Sequence, residues 1–485
     1  MELLDKYEIV VGLEVHAQLM TQTKQFSSDP YTYGSSPNTQ VSPQNLAHPG
    51  TLPKPNIEGL KLALKMGIAC NCDIHERTHF ARKSYFYADL PKGYQITQFT
   101  TPLCTGGYIV IKDEAGKEKR ITLDKIIMEE DSGKSIHDLD PFASLIDLNR
   151  AGVPLIEIVS NPDIRLPEEA GQYLTEIRQI VRYLDICDGN MEEGSMRCDA
   201  NVSVRLKGTS VLNTRCEIKN LNSIRNVQRA IAAEAKRQME LIESGGTVTN
   251  DTRGFDAVKG ETFGMRSKEL ANDYRYFPEP DIPPIVVTQN EIAGIKSQMP
   301  ELPKALMQRL INDYGLSEYD AGVITSEKEY AVFYQEILGH TNHYKAAANW
   351  LNGPIRSWLN ENAIELEKIP ITPTQISELI KLTEGNKISF SAASQKVFPE
   401  LVSKAYTGSV EELVREMNLM QLDDDGFVRQ LVSDALAMYP DKVEEYKGGK
   451  KGVLGLFMGE IMKKSQGKAD PKKANMLLLE ALEAM

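Results

Sequence analysis

The segment YEIVVGLEVHAQL, residues 7–19, determines how the fold is interpreted. Its apolar and polar residues alternate, so that one side is apolar and the other carries Glu14, His16 and Gln18. A period of two is typical of a half-buried β-strand. Soluble sheets commonly expose one face to water, so these polar side chains can belong to a solvated edge or to a functional site. The residues alone leave both interpretations open.

Up to about residue 290 the chain reads as further strands and loops with some helix. Residues 100–124 predict a β-hairpin that turns at Glu114-Ala115-Gly116. The run LIEIV at 155–159 is apolar except for Glu157. Because burying a lone carboxylate is costly, we expect Glu157 to have a partner.

After about residue 295 the pattern becomes helical. PELPKALMQRLINDYG, 300–315, has apolar residues at helical spacing and ends on glycine. TPTQ at 372–375 is a capping box with proline at the first helical position. We therefore expect an α+β protein with a large mixed α/β catalytic cradle over 1–294, an all-helical domain over 295–407 and a small helical tail domain over 408–485.

The composition is that of an ordinary globular protein. Of 485 residues, 41% are hydrophobic and 25% are charged, which argues against a disordered chain or a fibre. The N-terminal MELLDKYEIVV is charged where a secretory signal needs an apolar stretch, and no run approaches the ~20 apolar residues of a membrane helix. Six irregularly spaced cysteines suit a reducing compartment. We expect a cytoplasmic protein with no membrane partner.

The net charge of −13 argues against a surface that coats nucleic acid as a whole. Within 447–473, however, eight lysines stand against Glu460 and Asp470, a local charge of +6. Such a run is commonly a solvated face, but on an acidic protein it is also a natural place to bind a phosphate backbone. These lysines are Lys447, Lys450, Lys451, Lys463, Lys464, Lys468, Lys472 and Lys473.

Two short motifs suggest other enzyme classes. HERTH at 75–79 matches the HExxH pattern of zinc hydrolases, and Cys70 and Cys72 lie nearby. That pattern requires a helix, whereas the residues that follow it are aromatic, β-like and end in proline. Gly133-Lys134-Ser135 resembles the end of a P-loop, but Met128 stands where the first glycine is needed. A P-loop NTPase is excluded, and a zinc hydrolase remains the weakest alternative.

Carboxylates cluster in two segments. MEEDSGKS at 128–135 follows an apolar run, and a second acidic segment begins at residue 190. A Mg²⁺–nucleotide site needs one or two carboxylates, while waters and phosphate oxygens complete the octahedron. Together with Glu14 and His16, acids from these segments and Glu157 would form such a site if the fold brings them together. The clustered acids are Glu129, Glu130, Asp131, Glu192, Glu193 and Asp199.

Several blocks of the chain are long enough to be specific for one family. They are VGLEVHAQL (11–19), RKSYFYADLPKGYQITQF (82–99), MEEDSGKS (128–135), DLNRAGVPLIEIVSNPDI (147–164), MEEGSMRCDANVSVR (191–205), EIKNLNS (217–223), NDYRYFPEPDIPP (272–284) and KGGKKGVLG (447–455). In this order, from residue 7 to the C-terminus, the chain resembles the GatB family, the B subunits of glutamine-dependent aspartyl/glutamyl-tRNA amidotransferases.

The resemblance implies a two-step reaction on misacylated tRNA. ATP phosphorylates the side-chain carboxylate of Glu on tRNA(Gln) or of Asp on tRNA(Asn), and ammonia made from glutamine by an amidase A subunit displaces the phosphate. It implies a heterotrimer with that A subunit and a small C subunit, a YqeY-like tail that binds tRNA, and ATP with Mg²⁺ or Mn²⁺. It assigns the catalytic site to Glu14, His16, Glu130 and Glu157, of which the last three hold the metal.

One departure from the family concerns zinc. Many members carry cysteines after the first strand and again further along, where they form a zinc knot. Here the two segments read QFSSD at 25–29 and VSPQN at 41–45, with no cysteine. We therefore expect no structural zinc, and loop packing in its place.

Two further hypotheses stand beside the amidotransferase subunit. A stand-alone ATP-dependent ligase would need its own ammonia source and would work without partners. An RNA-binding scaffold would merely present tRNA to a partner, and removing Glu14 or His16 would then leave activity unchanged.

Overall fold

The computed structural model describes residues 2–267, 274–403, 406–420, 425–465, 469 and 471–484. Asn272, Asp273, Lys468 and Asp470, which entered the sequence analysis, lie outside the described residues. The chain divides into two compact units, Met1–Pro303 and Lys304–Met485. The combination of a mixed sheet with helices and a helical C-terminal region confirms the α+β prediction, while the predicted three-domain boundaries stay a prediction.

The first unit is built on one large sheet. Its strands and those of three small sheets are β1 Tyr7–Gln18, β2 Asp73–Ile74, β3 Arg77–Thr78, β4 Ala81–Ser84, β5 Tyr94–Thr97, β6 Cys104–Thr105, β7 Tyr108–Lys112, β8 Glu118–Glu130, β9 Lys134–Ile136, β10 Leu145–Asp147, β11 Pro154–Ser160, β12 Met196–Leu206, β13 Cys216–Leu221, β14 Asp251–Asp256, β15 Glu261–Ser267, β16 Phe277–Pro278 and β17 Ile285–Val286. The order in the large sheet is β15-β14-β13-β12-β1-β11-β8-β6-β2, with β7 also paired to β8. Strand β1 is therefore central, flanked by β11 and β12 on its two sides.

Helices cover one face of this sheet. The helices of the first unit are α1 Glu2–Lys6, α2 Ile57–Ala69, α3 Pro167–Tyr183, α4 Ile224–Glu243 and α5 Gln289–Gln298. Val11, Leu13 and Val15 of β1 are buried in one core together with Leu174 of α3 and Ile231 of α4. The alternation predicted for residues 7–19 is thus confirmed. Because β1 lies inside the sheet, its polar residues do not belong to an edge strand.

The predicted hairpin is also present, whereas the HExxH segment is not helical. Strands β7 and β8 pair antiparallel around a turn in which Gly116 has a positive φ of 76°. His75 directly follows the short strand β2 and His79 directly follows β3. Each ring is within hydrogen-bond distance of a threonine hydroxyl, Thr105 for His75 and Thr101 for His79. Residues 75–79 therefore lack the helix that would align the two histidines on one metal.

The second unit is helical. From residue 303 the helices are α6 Pro303–Asn312, α7 Glu318–Thr325, α8 Lys328–Leu338, α9 Tyr344–Trp350, α10 Arg356–Asn362, α11 Pro373–Glu384, α12 Phe390–Ala392, α13 Phe398–Ser403, α14 Val410–Glu416, α15 Asp425–Met438, α16 Pro440–Lys447, α17 Leu454–Lys464 and α18 Pro471–Glu483. The capping box is confirmed: Gln375 N–H donates to Thr372 Oγ1 and Thr372 N–H donates to Gln375 Oε1. Among the described residues, no helix is long and apolar enough to cross a membrane.

Candidate metal and phosphate site

The register of three neighbouring strands creates an acidic face on the large sheet. On β1, His16 lies opposite Glu157 of β11, and Glu14 lies opposite Asp199 of β12. Arg197 of β12 lies opposite His16 on its other side. Since side chains alternate along a strand, Glu14 and His16 share the face that points away from the helix-covered core. The ladder thus collects residues that are far apart in sequence.

Strand β8 adds the third member of the main cluster. Ligand atoms of His16, Glu129 and Glu157 all lie within 4.8 Å of one another. The Glu129 carboxylate is held by Thr97 Oγ1, which donates to it at 2.5 Å, and by Gln95 Nε2, which donates at 3.1 Å. One imidazole and two carboxylates in this arrangement could hold a divalent cation.

Glu130 is not part of this cluster, although the sequence analysis assigned it there. Its carboxylate pairs with Lys92 and accepts the Ile96 N–H at 2.9 Å. Consecutive residues of a strand point to opposite faces, so Glu129 and Glu130 cannot both reach His16. The structure brings Glu129 there in its place. Extending the alternation of the apolar run at 126–128 would have identified it, since Ile126 and Met128 face the core and Glu129 does not.

Glu14 belongs to a second acidic group on the same face. Oxygens of Glu14, Asp199 and Glu217 lie within 4.8 Å of one another. Lys219 Nζ lies 2.7 Å from both Asp199 Oδ2 and Glu217 Oε1, and this contact raises the pKa of Lys219 against the opposing effect of burial. Because the Lys219 ammonium is already in direct contact with two carboxylates of this second group, the His16 cluster is the better candidate of the two for a cation.

Burial and mutual repulsion hold the main cluster in a proton-bearing state. Burial, together with the charges of Glu129 and Glu14, raises the pKa of Glu157 to about 8. Burial lowers the pKa of His16, although the neighbouring carboxylates oppose this effect. A neutral imidazole and a carboxylate that is close to losing its proton suit the binding of a cation, which takes the place of that proton.

Positively charged side chains complete the site. A cavity of about 500 Å³ is lined by His16, Glu129, Arg197 and Lys83, and also by the predicted acids Asp131, Glu192, Glu193 and Asp199. Arg197 Nη2 donates to Asp131 Oδ2 at 2.8 Å. Burial alone would lower the pKa of Lys83, but Glu129, Tyr276 and Glu157 outweigh it and raise that pKa. The cavity thus combines a cluster that could hold a cation with three positive side chains, Lys83, Arg197 and Lys219, an arrangement suited to a polyphosphate.

Comparison with known proteins shows the family to which the chain belongs. Residues 9–293 match the family model of the GatB/GatE catalytic domain, and residues 332–482 match that of the GatB domain. A protein of Alkalilimnicola ehrlichii is 46% identical over 480 residues, covering 99% of this chain and 100% of its own length. A protein of Caldanaerobacter subterraneus is 47% identical, covering 98% and 99% respectively. Both are named as the B subunit of an aspartyl/glutamyl-tRNA(Asn/Gln) amidotransferase. This chain belongs to the GatB family.

Proposed function

We propose that this chain is the B subunit of a cytoplasmic tRNA-dependent amidotransferase. It would activate the side-chain carboxylate of Glu on tRNA(Gln), of Asp on tRNA(Asn), or of both, by phosphorylation from ATP. Ammonia from a glutaminase A subunit would then displace the phosphate, so that the whole complex, with a small C subunit, acts as a carbon–nitrogen ligase. The observation that carries the proposal is the cluster of His16, Glu129 and Glu157. Two of its members, His16 and Glu129, line an open cavity together with Arg197 and Lys83.

The donor set fits a divalent cation such as Mg²⁺ or Mn²⁺. Glu129 and Glu157 supply hard oxygen ligands, and His16 adds a nitrogen that is acceptable to Mn²⁺ and less usual for Mg²⁺. When bound, the cation would neutralise charge on the phosphates of ATP. His16, Glu129 and Glu157 would hold it against the sheet, where Thr97 and Gln95 keep the Glu129 carboxylate in place.

The remaining residues of the cavity would position the reacting groups. Phosphoryl transfer requires in-line placement and charge stabilisation more than covalent participation by the protein. Arg197 and Lys83 would offer fixed positive charge to the phosphoryl group and to the carboxylate that attacks it. Arg197 is held by Asp131, whose other oxygen lies near Arg150, so its guanidinium is pre-oriented before substrate arrives.

ATP hydrolysis by the purified complex, with and without Glu-tRNA(Gln), tests the proposal. We expect misacylated tRNA to stimulate hydrolysis, and His16→Ala or Glu129→Ala to abolish this stimulation while glutamine hydrolysis by the A subunit survives. An RNA-binding scaffold would show full amidation in both variants. A stand-alone ligase would amidate the tRNA without the A subunit.

A further inference from the structure

Five aromatic rings form a continuous row, and the second of them lies in the same cavity. Tyr85 lines the cavity together with His16 and Glu129. The distances between consecutive ring centroids are 5.8 Å for Tyr87–Tyr85, 6.3 Å for Tyr85–Tyr274, 6.0 Å for Tyr274–Tyr276 and 4.1 Å for Tyr276–Phe99. Each ring thus contacts the next, and the row passes the cavity at Tyr85 and has a half-exposed ring at each end.

Backbone pairing and a lysine tie this row to the cluster. The Ser84 N–H donates to the Tyr274 carbonyl at 2.9 Å, which places Tyr274 beside Tyr85. Lys83 Nζ lies 5.1 Å from the centroid of the Tyr274 ring and 5.9 Å from that of Tyr85. The same ammonium interacts with Glu129 of the cluster. A positive charge therefore stands between the rings and the carboxylates.

The outer rings of the row are open to solvent. Tyr87 is 54% exposed and Phe99 is 51% exposed, and the neighbouring Phe86 is exposed as well. Exposed aromatic patches of this kind mark interaction sites rather than core. Rings in succession beside a cationic side chain are the arrangement with which proteins bind single-stranded nucleic acid, because every base has a face that can stack.

We propose that this aromatic row receives the unpaired 3′ end of the aminoacyl-tRNA and stacks its bases. The aminoacyl group on the terminal ribose would then reach the cavity lined by His16 and Glu129. The inference rests on the proposed function and adds the surface that guides the substrate. A single adenine from ATP would cover one ring, whereas the row offers several rings in succession and extends outward to half-exposed ones.

Binding of tRNA to the assembled complex tests this proposal. Phe99→Leu keeps an apolar side chain but removes the ring, and Phe99→Tyr keeps the ring. Phe142→Leu is the matched control, since Phe142 is an aromatic outside the row that is 97% exposed. The measurements are the Kd for intact tRNA, the Kd for tRNA lacking its unpaired 3′ nucleotides, and the KM for ATP.

We expect Phe99→Leu to weaken binding of intact tRNA by about 5- to 160-fold, the range expected for losing one stacked base. Truncated tRNA should bind the variant and the unmodified complex equally, and Phe99→Tyr and Phe142→Leu should match the unmodified complex throughout. Equal binding of intact tRNA by Phe99→Leu and the unmodified complex would overturn the proposal. A raised KM for ATP with unchanged tRNA binding would overturn it too, because the row would then hold the adenine of ATP.

The proposed function can be wrong while the assignment of the aromatic row is right. In that case the complex would bind intact tRNA more tightly than truncated tRNA, in a manner that depends on Phe99, but misacylated tRNA would not stimulate ATP hydrolysis. If only the aromatic row is wrongly assigned, stimulated hydrolysis persists and the KM for aminoacyl-tRNA is the same with and without the Phe99 ring.

Discussion

His16 and Glu157 lie directly opposite each other on the antiparallel strands β1 and β11. A slip of one residue in this ladder would turn either side chain to the opposite face of the sheet. The cluster of His16, Glu129 and Glu157 therefore depends on strand register, which the large apolar core on the other face holds in place. A site built on central strands is more rigid than one built on loops, as positioning of a phosphoryl group requires.

The two consecutive glutamates at the end of β8 should differ in metal binding. We expect Glu129→Gln to weaken Mn²⁺ binding by at least about tenfold, because the cluster loses one of its two carboxyl groups. Glu130→Gln should leave the affinity for Mn²⁺ within about twofold of the unmodified protein, since its carboxylate is engaged with Lys92 and Ile96. Electron paramagnetic resonance of free Mn²⁺ during titration measures both affinities. The reverse ranking of the two variants would return Glu130 to the metal site.

The sequence predicted the strand and the polar face of residues 7–19, because an alternating pattern is a local property. It also placed His16 and Glu157 in one site, which the register of β1 and β11 brings together. The sequence did not place Glu129 beside His16, because this depends on which face of β8 carries the core, and the family motif contains both Glu129 and Glu130. Ile126 and Met128 supply that information once the strand is recognised.

Other features could not be predicted from the sequence because they join distant segments of the chain. Lys219 forms an ion pair with Asp199 because β13 pairs with β12, and no local sequence pattern predicts this pairing. The aromatic row likewise combines Tyr85 with Tyr274, which meet through one backbone hydrogen bond near β4. Such contacts follow from topology, so a motif search finds the individual residues without their relationship.

Asp29 should stabilise the loop that lacks the cysteines of a zinc knot. Its Oδ2 accepts hydrogen bonds from Ser27 Oγ at 2.8 Å, from the Ser42 N–H at 3.1 Å and from the Asn45 amide. These partners lie in the two segments 25–29 and 41–45. We expect Asp29→Ala to lower the free energy of unfolding by about 1–3 kcal/mol, because three donors lose a charged acceptor. Urea denaturation measures this loss.

The companion expectation is that no zinc contributes to this loop. Metal analysis of the purified protein should find much less than one zinc per chain, and a chelator should leave the urea midpoint unchanged. Asp29→Asn is the matched control, since it keeps the shape and removes the charge. One tightly held zinc per chain would contradict the assignment of this role to Asp29.

Lys24 should make stability depend on pH in the alkaline range. Its side chain is fully buried, Nζ donates to the Gln40 carbonyl at 2.7 Å, and burial lowers its pKa from 10.5 to about 8. A lowered folded-state pKa means that folding releases a proton between pH 8 and 10.5, so this group stabilises the fold as pH rises through that window. Below about pH 8 the lysine is charged in both the folded and the unfolded state, so its contribution to the free energy of unfolding does not change with pH.

Lys24→Met removes this titration. From pH 8 to 10.5 we expect the unfolding free energy of the unmodified protein to rise by up to about 3 kcal/mol relative to that of Lys24→Met. The size follows because one pKa unit corresponds to about 1.4 kcal/mol. Urea denaturation of both proteins at about pH 7, 8, 9 and 10 follows the change. A constant difference across this series would mean that Lys24 keeps an ordinary pKa in the folded state.

The lysines near the C-terminus should contribute to tRNA affinity through the phosphate backbone. Lys463 and Lys464 are exposed in the last turn of α17, within the segment of charge +6. Each lost phosphate contact lowers the slope of log affinity against log salt by about 0.7–0.9. We therefore expect replacement of both lysines by glutamine to reduce the slope by about 1.4–1.8 and to weaken binding most at low salt.

A deletion and a matched lysine separate this effect from general charge. Removing residues 409–485 should weaken tRNA binding and raise the KM for aminoacyl-tRNA, while glutamine hydrolysis by the A subunit without tRNA survives. Lys236→Gln changes a lysine on α4 whose side chain is 73% exposed, and it should leave the slope unchanged. If the double variant and the deletion bind tRNA like the intact protein at every salt concentration, the lysines form only a solvated helical face, and the affinity for tRNA resides in residues 1–408.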